Sequence, residues 1–231
     1  MNWRSPKRAE RFQKESPFNP EEIKASLAPL ELNGTDHFID FGCGCGHHLH
    51  EAAKVVQQAW GVDLSPHMVA SAREFNKDLP NVVIDQFALQ GLSICEGYFT
   101  KGFARDSLTF LQEDARHEFL MGISRGFAEG ALFLLEDVIL FPGWEQAIVD
   151  FKVGLPGISM PAFLVDPNPE ARYDTIPFDS ATLEGFFSCA GFQALSIESV
   201  CPGYGRALFQ KVDATGCIGR REYIPRTRSI D

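Results

Sequence analysis

Residues 37–56 read HFIDFGCGCGHHLHEAAKVV. A short apolar run, HFIDF, stops at Gly42, and glycines recur at 44 and 46. From there Leu49, Ala52, Ala53 and Val56 fall at helical spacing. A strand, a glycine turn and a helix in that order let backbone come close to a ligand and aim the first helical N–H groups at it. Three readings compete: a nucleotide-cofactor loop, a metal site drawn from Cys43, Cys45, His47, His48 and His50, and a plain tight turn. Cys-x-Cys is not the usual zinc spacing and no second Cys/His pair follows at a suitable distance, so no metal is expected. The glycine spacing is Gly-x-Gly-x-Gly. A dinucleotide fingerprint needs its third glycine one residue later, where His47 stands, which weakens a nicotinamide reading.

Outward from this stretch, strand and helix patterns alternate. QAWGVDLS reads as a second strand ending at Asp63, and Ser65-Pro66 is an N-cap and first-turn pair that opens a helix. NVVIDQFA and YFTKGFARD read as third and fourth strands. Leu111, Ala115, Phe119, Ile123 and Phe127 step by four along one helical face, and ALFLLEDVIL (131–140) reads as one buried fifth strand. Alternation of this kind predicts a doubly wound α/β sheet with parallel strands. Near the end, Leu183, Phe186, Phe187 and Ala190 mark a helix stopped by Gly191. FQALSIESV and GRALFQKVDA then read as an antiparallel pair joined across CPGY. Ahead of the first strand, Ile23, Leu27 and Leu30 mark an amphipathic helix after the breaker SPFNP, with a basic helical segment before it. Residues 142–178 hold six prolines and little periodicity, as lids and binding loops do. The expected organisation is one domain over 1–231, with a helical cap at 1–30 and an irregular lid or acceptor-binding insertion at 142–178.

Composition narrows the function. A hydrophobic content of 45%, a charged content of 23% and 20 Phe describe a soluble globular chain. Of 31 Asp/Glu and 21 Lys/Arg, the stretch 37–213 holds 23 and 11, an acidic body that repels a phosphate backbone. Nucleic acid is therefore not expected as a partner. No apolar run reaches membrane-spanning length and the first residues lack a signal-peptide core, so the expectation is a cytoplasmic protein with no membrane contact. The six cysteines read as reduced thiols.

Asp63 decides between the remaining readings. It lies about twenty residues beyond the first glycine at the end of a second strand, where a carboxylate accepts both hydroxyls of a ribose. The set FIDFGCGCG, WGVDLS, ARDSLTFL, GALFLLEDV and LEGFFSCAGFQALSIESV resembles the class I S-adenosylmethionine-dependent methyltransferases, from about residue 20 to about 213. The resemblance implies a Rossmann-like seven-stranded sheet with an antiparallel last pair and S-adenosyl-L-methionine as cofactor. It places the methionine moiety beside Gly42, Cys43, Gly44 and Gly46, with Asp40 toward its ammonium and His47 beside its carboxylate. Asp63 would hold the ribose and Leu64 would pack on the adenine. Further adenine contacts would come from Asp85, Gln86 and Phe87, either by Asp85 holding the amino group or by Phe87 stacking. Ala104 and Arg105 would border the methionine and the acceptor.

Methyl transfer from a sulfonium needs mainly an in-line approach in a dry site, and a base only if the acceptor must lose a proton. Asp106, Glu136 and Asp137 are the catalytic candidates by position. The Tyr and His that flank this region in phosphoethanolamine-type relatives are replaced by Phe103 and Phe110, which read as core; His117 reads as exposed and non-catalytic. Phe141, Trp144, Phe151, Phe163 and Tyr173 are candidate walls of an aromatic-lined pocket. The reading is a methyltransferase acting on O, N or C of a small apolar or aromatic acceptor, in secondary metabolism, as a monomer or homodimer. The alternatives are an inactive cofactor-binding or regulatory protein of the same fold, a nicotinamide oxidoreductase, and a protein methyltransferase.

Overall fold

The computed structural model describes residues 6, 10, 14, 17–89, 96–143 and 177–212. Its centre is β1 (His37–Phe41), an apolar strand whose last four residues are buried and which therefore needs cover on both faces. It pairs in parallel with β2 (Gln58–Asp63) and with β4 (Phe99–Arg105). β3 (Val82–Gln86) adds to β2, and β5 (Phe127–Asp137) adds to β4, again in parallel. The closing strands β8 (Phe192–Cys201) and β9 (Tyr204–Lys211) form a hairpin, and β9 runs antiparallel to both β5 and β8. The sheet order is β3-β2-β1-β4-β5-β9-β8, seven strands with an antiparallel last pair. Strand order reverses between β1 and β4, which opens a crevice at their carboxyl ends.

Helices cover the two faces separately. On one face lie α1 (Pro20–Leu27), α2 (His47–Ala53) and α3 (Pro66–Phe75), which pack Ile23, Leu27, Leu49, Val69 and Ala72 against Phe38 and Phe103 of the sheet. On the other lie α4 (Glu113–Gly126) and α5 (Ser180–Ser188), whose Phe119, Ile123, Leu183 and Phe187 meet Ile39, Phe41, Phe133 and Phe209. This second layer is built from phenylalanine; Phe187 stacks on Phe209 with centroids 4.0 Å apart. Starts are capped as the sequence suggests. Ser65 Oγ accepts from Met68 N ahead of Pro66, and Asn19 accepts from Glu22 N ahead of Pro20. Pro6, Glu10 and Lys14 are helical, in the basic segment before α1.

Two boundaries differ from the periodicity. The helical face read from Leu111 to Phe127 is α4 only from Glu113 to Gly126; Phe127 already begins β5 and pairs with Phe99. The run read as one fifth strand to Leu140 divides at Val138. Ile139–Leu140 (β6) leaves the main sheet and pairs in parallel with Phe178–Asp179 (β7). The reason is local: Asp137 Oδ1 accepts from Val138 N, 2.8 Å, and turns the backbone away at the end of β5. Among the described residues no helix is long and apolar enough to cross a membrane.

Packing between β4 and the phenylalanine layer leaves no room for a methyl at Gly102. An added Cβ would lie 2.4 Å from Phe127 Cζ and 2.8 Å from Phe133 Cδ2. Gly102→Ala is therefore expected to destabilise the fold by about 1–3 kcal/mol, the usual cost of overpacking. Denaturant unfolding of the variant measures it, and an unchanged midpoint would contradict the packing.

Candidate functional site

The loop after β1 is tied to the end of β2. Gly42 N and Cys43 N both donate to Val62 O, at 2.8 and 3.0 Å, and Gly44 N donates to Asp63 Oδ2 at 3.0 Å. Asp63 Oδ1 accepts from Ser65 N at 2.8 Å, so one carboxylate joins the glycine loop to the N-cap of α3. Gly42 and Gly46 adopt φ of +80° and +79°, a conformation that glycine takes without strain. Both are also crowded: a Cβ at Gly42 would sit 2.5 Å from Ser107 Cβ, and one at Gly46 2.6 Å from Asn76 Nδ2. Burial raises the Asp63 carboxyl, opposed by the N–H donors of Ser65, Gly44 and Leu64. Those donors use up to three of its roughly four lone-pair positions, leaving room for a ligand hydroxyl.

The two thiols point to different surroundings. Cys43 lies in the core with Leu49, its thiol pushed up by burial, while Cys45 Sγ is 3.7 Å from Met68 Sδ. His47 begins α2 but its ring joins an aromatic cluster, 5.4 Å from Phe18 and 4.9 Å from Phe75 by centroids. Burial lowers its pKa.

At the ends of β2 and β3, Leu64 and Phe87 are exposed apolar side chains on neighbouring strands, 36% and 41% accessible. Phe87 N donates to Asp63 O and Gln86 Nε2 to Leu64 O, which holds this lip together. Asp85 is placed otherwise. Its Oδ2 accepts from Trp60 Nε1 at 2.9 Å, with Arg73 3.9 Å from Oδ1. The Phe87 ring is thus exposed at this lip, while one oxygen of Asp85 is bonded to Trp60.

Asp40 sits on β1 directly beneath the loop. It is 2% exposed, and its Oδ2 has no hydrogen-bond partner among the described residues. Burial, helped by the nearby Asp63 charge, pushes this carboxyl up to about 8. An orphaned buried carboxylate oxygen is costly, and such a cost persists in a fold where a ligand donor completes the site.

The ends of β4, β5 and β9 carry a second polar cluster. Glu136 is buried and fully engaged: Oε1 accepts from Arg206 Nη2 at 2.6 Å and Nε at 2.8 Å, and Oε2 from Ser26 Oγ of α1 at 2.8 Å. Asp137 is also spent on structure. Its Oδ2 accepts from Leu108 N and Thr109 N, at 3.0 and 3.1 Å, and its carboxyl is pushed up to about 7 by burial and by Asp106. Asp137 thus spends its oxygens on backbone N–H groups, and Glu136 spends its own on Arg206 and Ser26.

Asp106 differs from both. Its φ of +49° is one of two positive values among the described non-glycine residues. About a third of its side chain is exposed, yet Oδ1 is shielded from water and unpartnered. Burial raises its carboxyl to about 6, with Arg105 and Tyr204 holding it down. Arg105 lies 3.8 Å from both Asp106 and Glu136 and 3.5 Å from Glu22. Burial opposes its charge, but Tyr204 and the surrounding acids raise its pKa overall. Its Nη1 is 3.4 Å from His48 Nε2, and burial followed by Arg105 lowers that imidazole to about 3. Ala104 is fully buried and its methyl lies within the phenylalanine core, so Arg105 is the β4 residue that faces this cluster.

The structure thus brings Asp40, the glycine loop and Asp63 together, and Arg105, Asp106 and Glu136 into a neighbouring group. Phe103 is fully buried, as expected for core, and Phe141 lies over the hairpin: a Cβ at Gly205 would be 2.8 Å from its ring. Trp144, Phe151, Phe163 and Tyr173 lie outside the described residues. Sequence reasoning missed Ser26, Tyr204 and Arg206, none of which lies in a motif. The one available signal was that an antiparallel hairpin must return its turn, CPGY, to the carboxyl ends of the parallel strands.

Comparison with known proteins follows the same lines. A methyltransferase-domain family model matches residues 38–130. An uncharacterized methyltransferase of Schizosaccharomyces pombe is 25% identical over 130 residues, which cover 55% of this chain and 50% of the relative, so the chain spans half that protein's length. Among solved structures, a putative methyltransferase from Haloferax volcanii, in complex with the Trm112 methyltransferase activator, superposes with a TM-score of 0.67. It is 14% identical, over 91% of this chain and 96% of its own. An S-adenosylmethionine-dependent methyltransferase from Aquifex aeolicus gives 0.63 at 16% identity, over 90% and 99%. At these identities the structural likenesses speak to fold.

The Asp40 carboxyl makes a pH prediction. Its pKa is about 8 in the folded chain and about 3.9 unfolded, so between those values the folded state binds the extra proton. Its contribution to stability is then greatest near pH 4 and declines as pH rises toward 8. Asp40→Asn removes that decline. Urea unfolding across this range should find the variant more stable than wild type at pH 8, on the order of 2–5 kcal/mol, with the gap closing toward pH 4. A gap independent of pH would show that the carboxyl is not held protonated.

Proposed function

We propose that this chain is a class I S-adenosylmethionine-dependent methyltransferase, a reading supported by the matched methyltransferase-domain model, and that it transfers the methyl group of S-adenosyl-L-methionine to a small apolar or aromatic acceptor. The observation that carries this is the orphaned Asp40 Oδ2 beneath a glycine loop whose far side is pinned by Asp63. The residues present fit the cofactor. Asp40 offers an unpaired carboxylate oxygen for an ammonium, Asp63 retains lone pairs for ribose hydroxyls, and Leu64 with Phe87 offers an exposed apolar lip for a flat base. Gly42, Cys43, Gly44 and Gly46 supply the close backbone between them.

When bound, the cofactor supplies a methyl already activated on a sulfonium. The protein's part is then to hold the acceptor in line and to exclude water, worth about 7–11 kcal/mol in favourable cases. Ser26 and Glu22 reach from α1 to Glu136 and Arg105, and so fasten the N-terminal helix beside the reacting end of the sheet. Of the three carboxylates placed at the strand ends, Asp106 has the free oxygen that a base needs; Glu136 and Asp137 act by positioning their neighbours.

Calorimetric titration with S-adenosylmethionine and S-adenosylhomocysteine tests the reading. Wild type should bind both, and Asp63→Ala should lose about 1–3 kcal/mol of binding free energy with its charged hydrogen-bond acceptor. Absence of binding to either compound by the wild type would reduce the assignment to one of fold.

A further inference from the structure

Asp40 and Asp63 stand on one face of the sheet. Asp40 pairs with Gly61 across β1 and β2, and Asp63 comes two residues later on β2, so the pleat turns both side chains to the layer where Phe38 and Ala59 are covered by α2 and α3. Gly61 places no side chain there, and the Cys43 thiol fills the position: a Cβ at Gly61 would lie 3.0 Å from its Sγ. Both carboxylates act on this thiol, and Asp63 acts on Asp40. Across β1 and β4, Asp40 pairs with Phe103, which is fully buried. Two acids therefore share an apolar setting of Cys43, Leu49 and Phe103.

Among the described residues no Lys, Arg or His forms an ion pair with either acid. Arg105, two residues beyond Phe103 on β4, has its ion pairs with Glu22, Asp106 and Glu136. On α2, burial and then Arg105 keep His48 neutral, and the His47 ring lies against Phe18 and Phe75. The residues that α3 buries in this layer are Met68, Val69 and Ala72, none of them charged. Asp63 accepts from the backbone N–H groups of Ser65, Gly44 and Leu64, which favour its charged form, whereas Asp40 Oδ2 has no donor among the described residues. Two buried like charges without a counter-ion are costly, and a carboxyl in that position takes up a proton instead. Asp40 is the member of the pair that does so, raised to about 8 by burial and then by Asp63.

We infer that Asp40 rests as the neutral acid and gives up its proton when a ligand ammonium arrives beside it, so that cofactor binding exchanges a proton for an organic cation. This rests on the methyltransferase reading above and assigns to Asp40 the selection of a nucleoside that carries an amine. The O–H bond of the Asp40 carboxyl breaks, its electron pair stays on the carboxylate, and the proton passes to the solvent. The ammonium keeps its own protons, so the charge beside Asp63 is the same before and after. A nucleoside without a cation brings nothing in return for the proton and leaves Asp40 neutral. Binding therefore strengthens as pH rises, because less free energy goes into removing the proton.

The test is calorimetric titration with S-adenosylhomocysteine between about pH 6 and about pH 7, where the ligand's amine is already protonated, in buffers of different ionisation enthalpy. The dependence of the measured heat on that enthalpy counts protons. Wild type should release about one proton on binding and should bind about tenfold more tightly at the upper pH than at the lower. Asp40→Asn should release almost none, and its affinity should stay within about twofold over the same range. Carbon-13 spectra of the side-chain carboxyls read the group itself, with the Asp40 signal assigned by its loss in Asp40→Asn. At about pH 6.5 that signal should lie at the neutral-acid position in the ligand-free wild type and at the carboxylate position once S-adenosylhomocysteine is bound. Wild-type binding without proton release, equal release from Asp40→Asn, or an Asp40 signal already at the carboxylate position in the ligand-free protein overturns the inference. The wild-type proton count and carboxyl signal decide it even if the variant does not bind. Failure of the wild type to bind S-adenosylhomocysteine instead brings down the cofactor reading, and the inference with it.

Discussion

The glycine loop has to cross the end of β2 with almost no thickness. Val62 O takes two of its N–H groups and Asp63 takes a third, so the loop backbone lies on the strand end itself. Much of the molecule is arranged around that contact. Gly61 is a glycine because a Cβ there would lie 3.0 Å from Cys43 Sγ and 2.9 Å from Leu49 Cδ2. Small thiols fill the positions between the glycines, one turned into the core and one toward Met68. Asn76, at the end of α3, closes the far side by donating to Gly46 O and Ala72 O. A bulkier loop would lift α2 off the sheet and break the link between Asp63 and α3.

Five acids stand near the carboxyl ends of the parallel strands, and their fates divide by what their oxygens touch. Asp63 and Asp137 accept from backbone N–H groups and act as internal caps. Glu136 is neutralised by Arg206 and bonded to Ser26. Asp40 and Asp106 each keep one oxygen that is shielded from water and without a hydrogen-bond partner among the described residues, which lowers stability. Raised carboxyl pKa values mark both classes, since burial raises Asp137 and Asp106 alike. Hydrogen-bond geometry is what separates the structural acids from the available ones.

The glycine loop and Asp63 were readable because their chemistry is local: each is fixed by residues within a few positions, and the spacing declares the turn. The doubly wound sheet was readable for the same reason, through runs such as HFIDF and ALFLLEDV that bury both faces. What sequence could not resolve was set by contacts across the fold. Asp85 lies two residues from the exposed Phe87, yet Trp60 draws its carboxylate away, a preference that depends on strand register. The break at Val138 depends on the Asp137 side chain turning back onto its own chain. Ser26 and Tyr204 reach the strand ends from 110 residues before Glu136 and from a hairpin turn, and neither has a local signature.

The hairpin has a consequence for how such a protein diversifies. Because β9 runs against β5, its first residue arrives at the same end of the sheet as the last residues of β4 and β5, carried on a turn with little else to do. Only Pro202 and Gly203 separate β8 from β9, far along the chain from the glycine loop. The glycine-loop end of the crevice and its hairpin end are therefore encoded in stretches of chain about 160 residues apart. A change of side chain in one leaves the backbone of the other as it was.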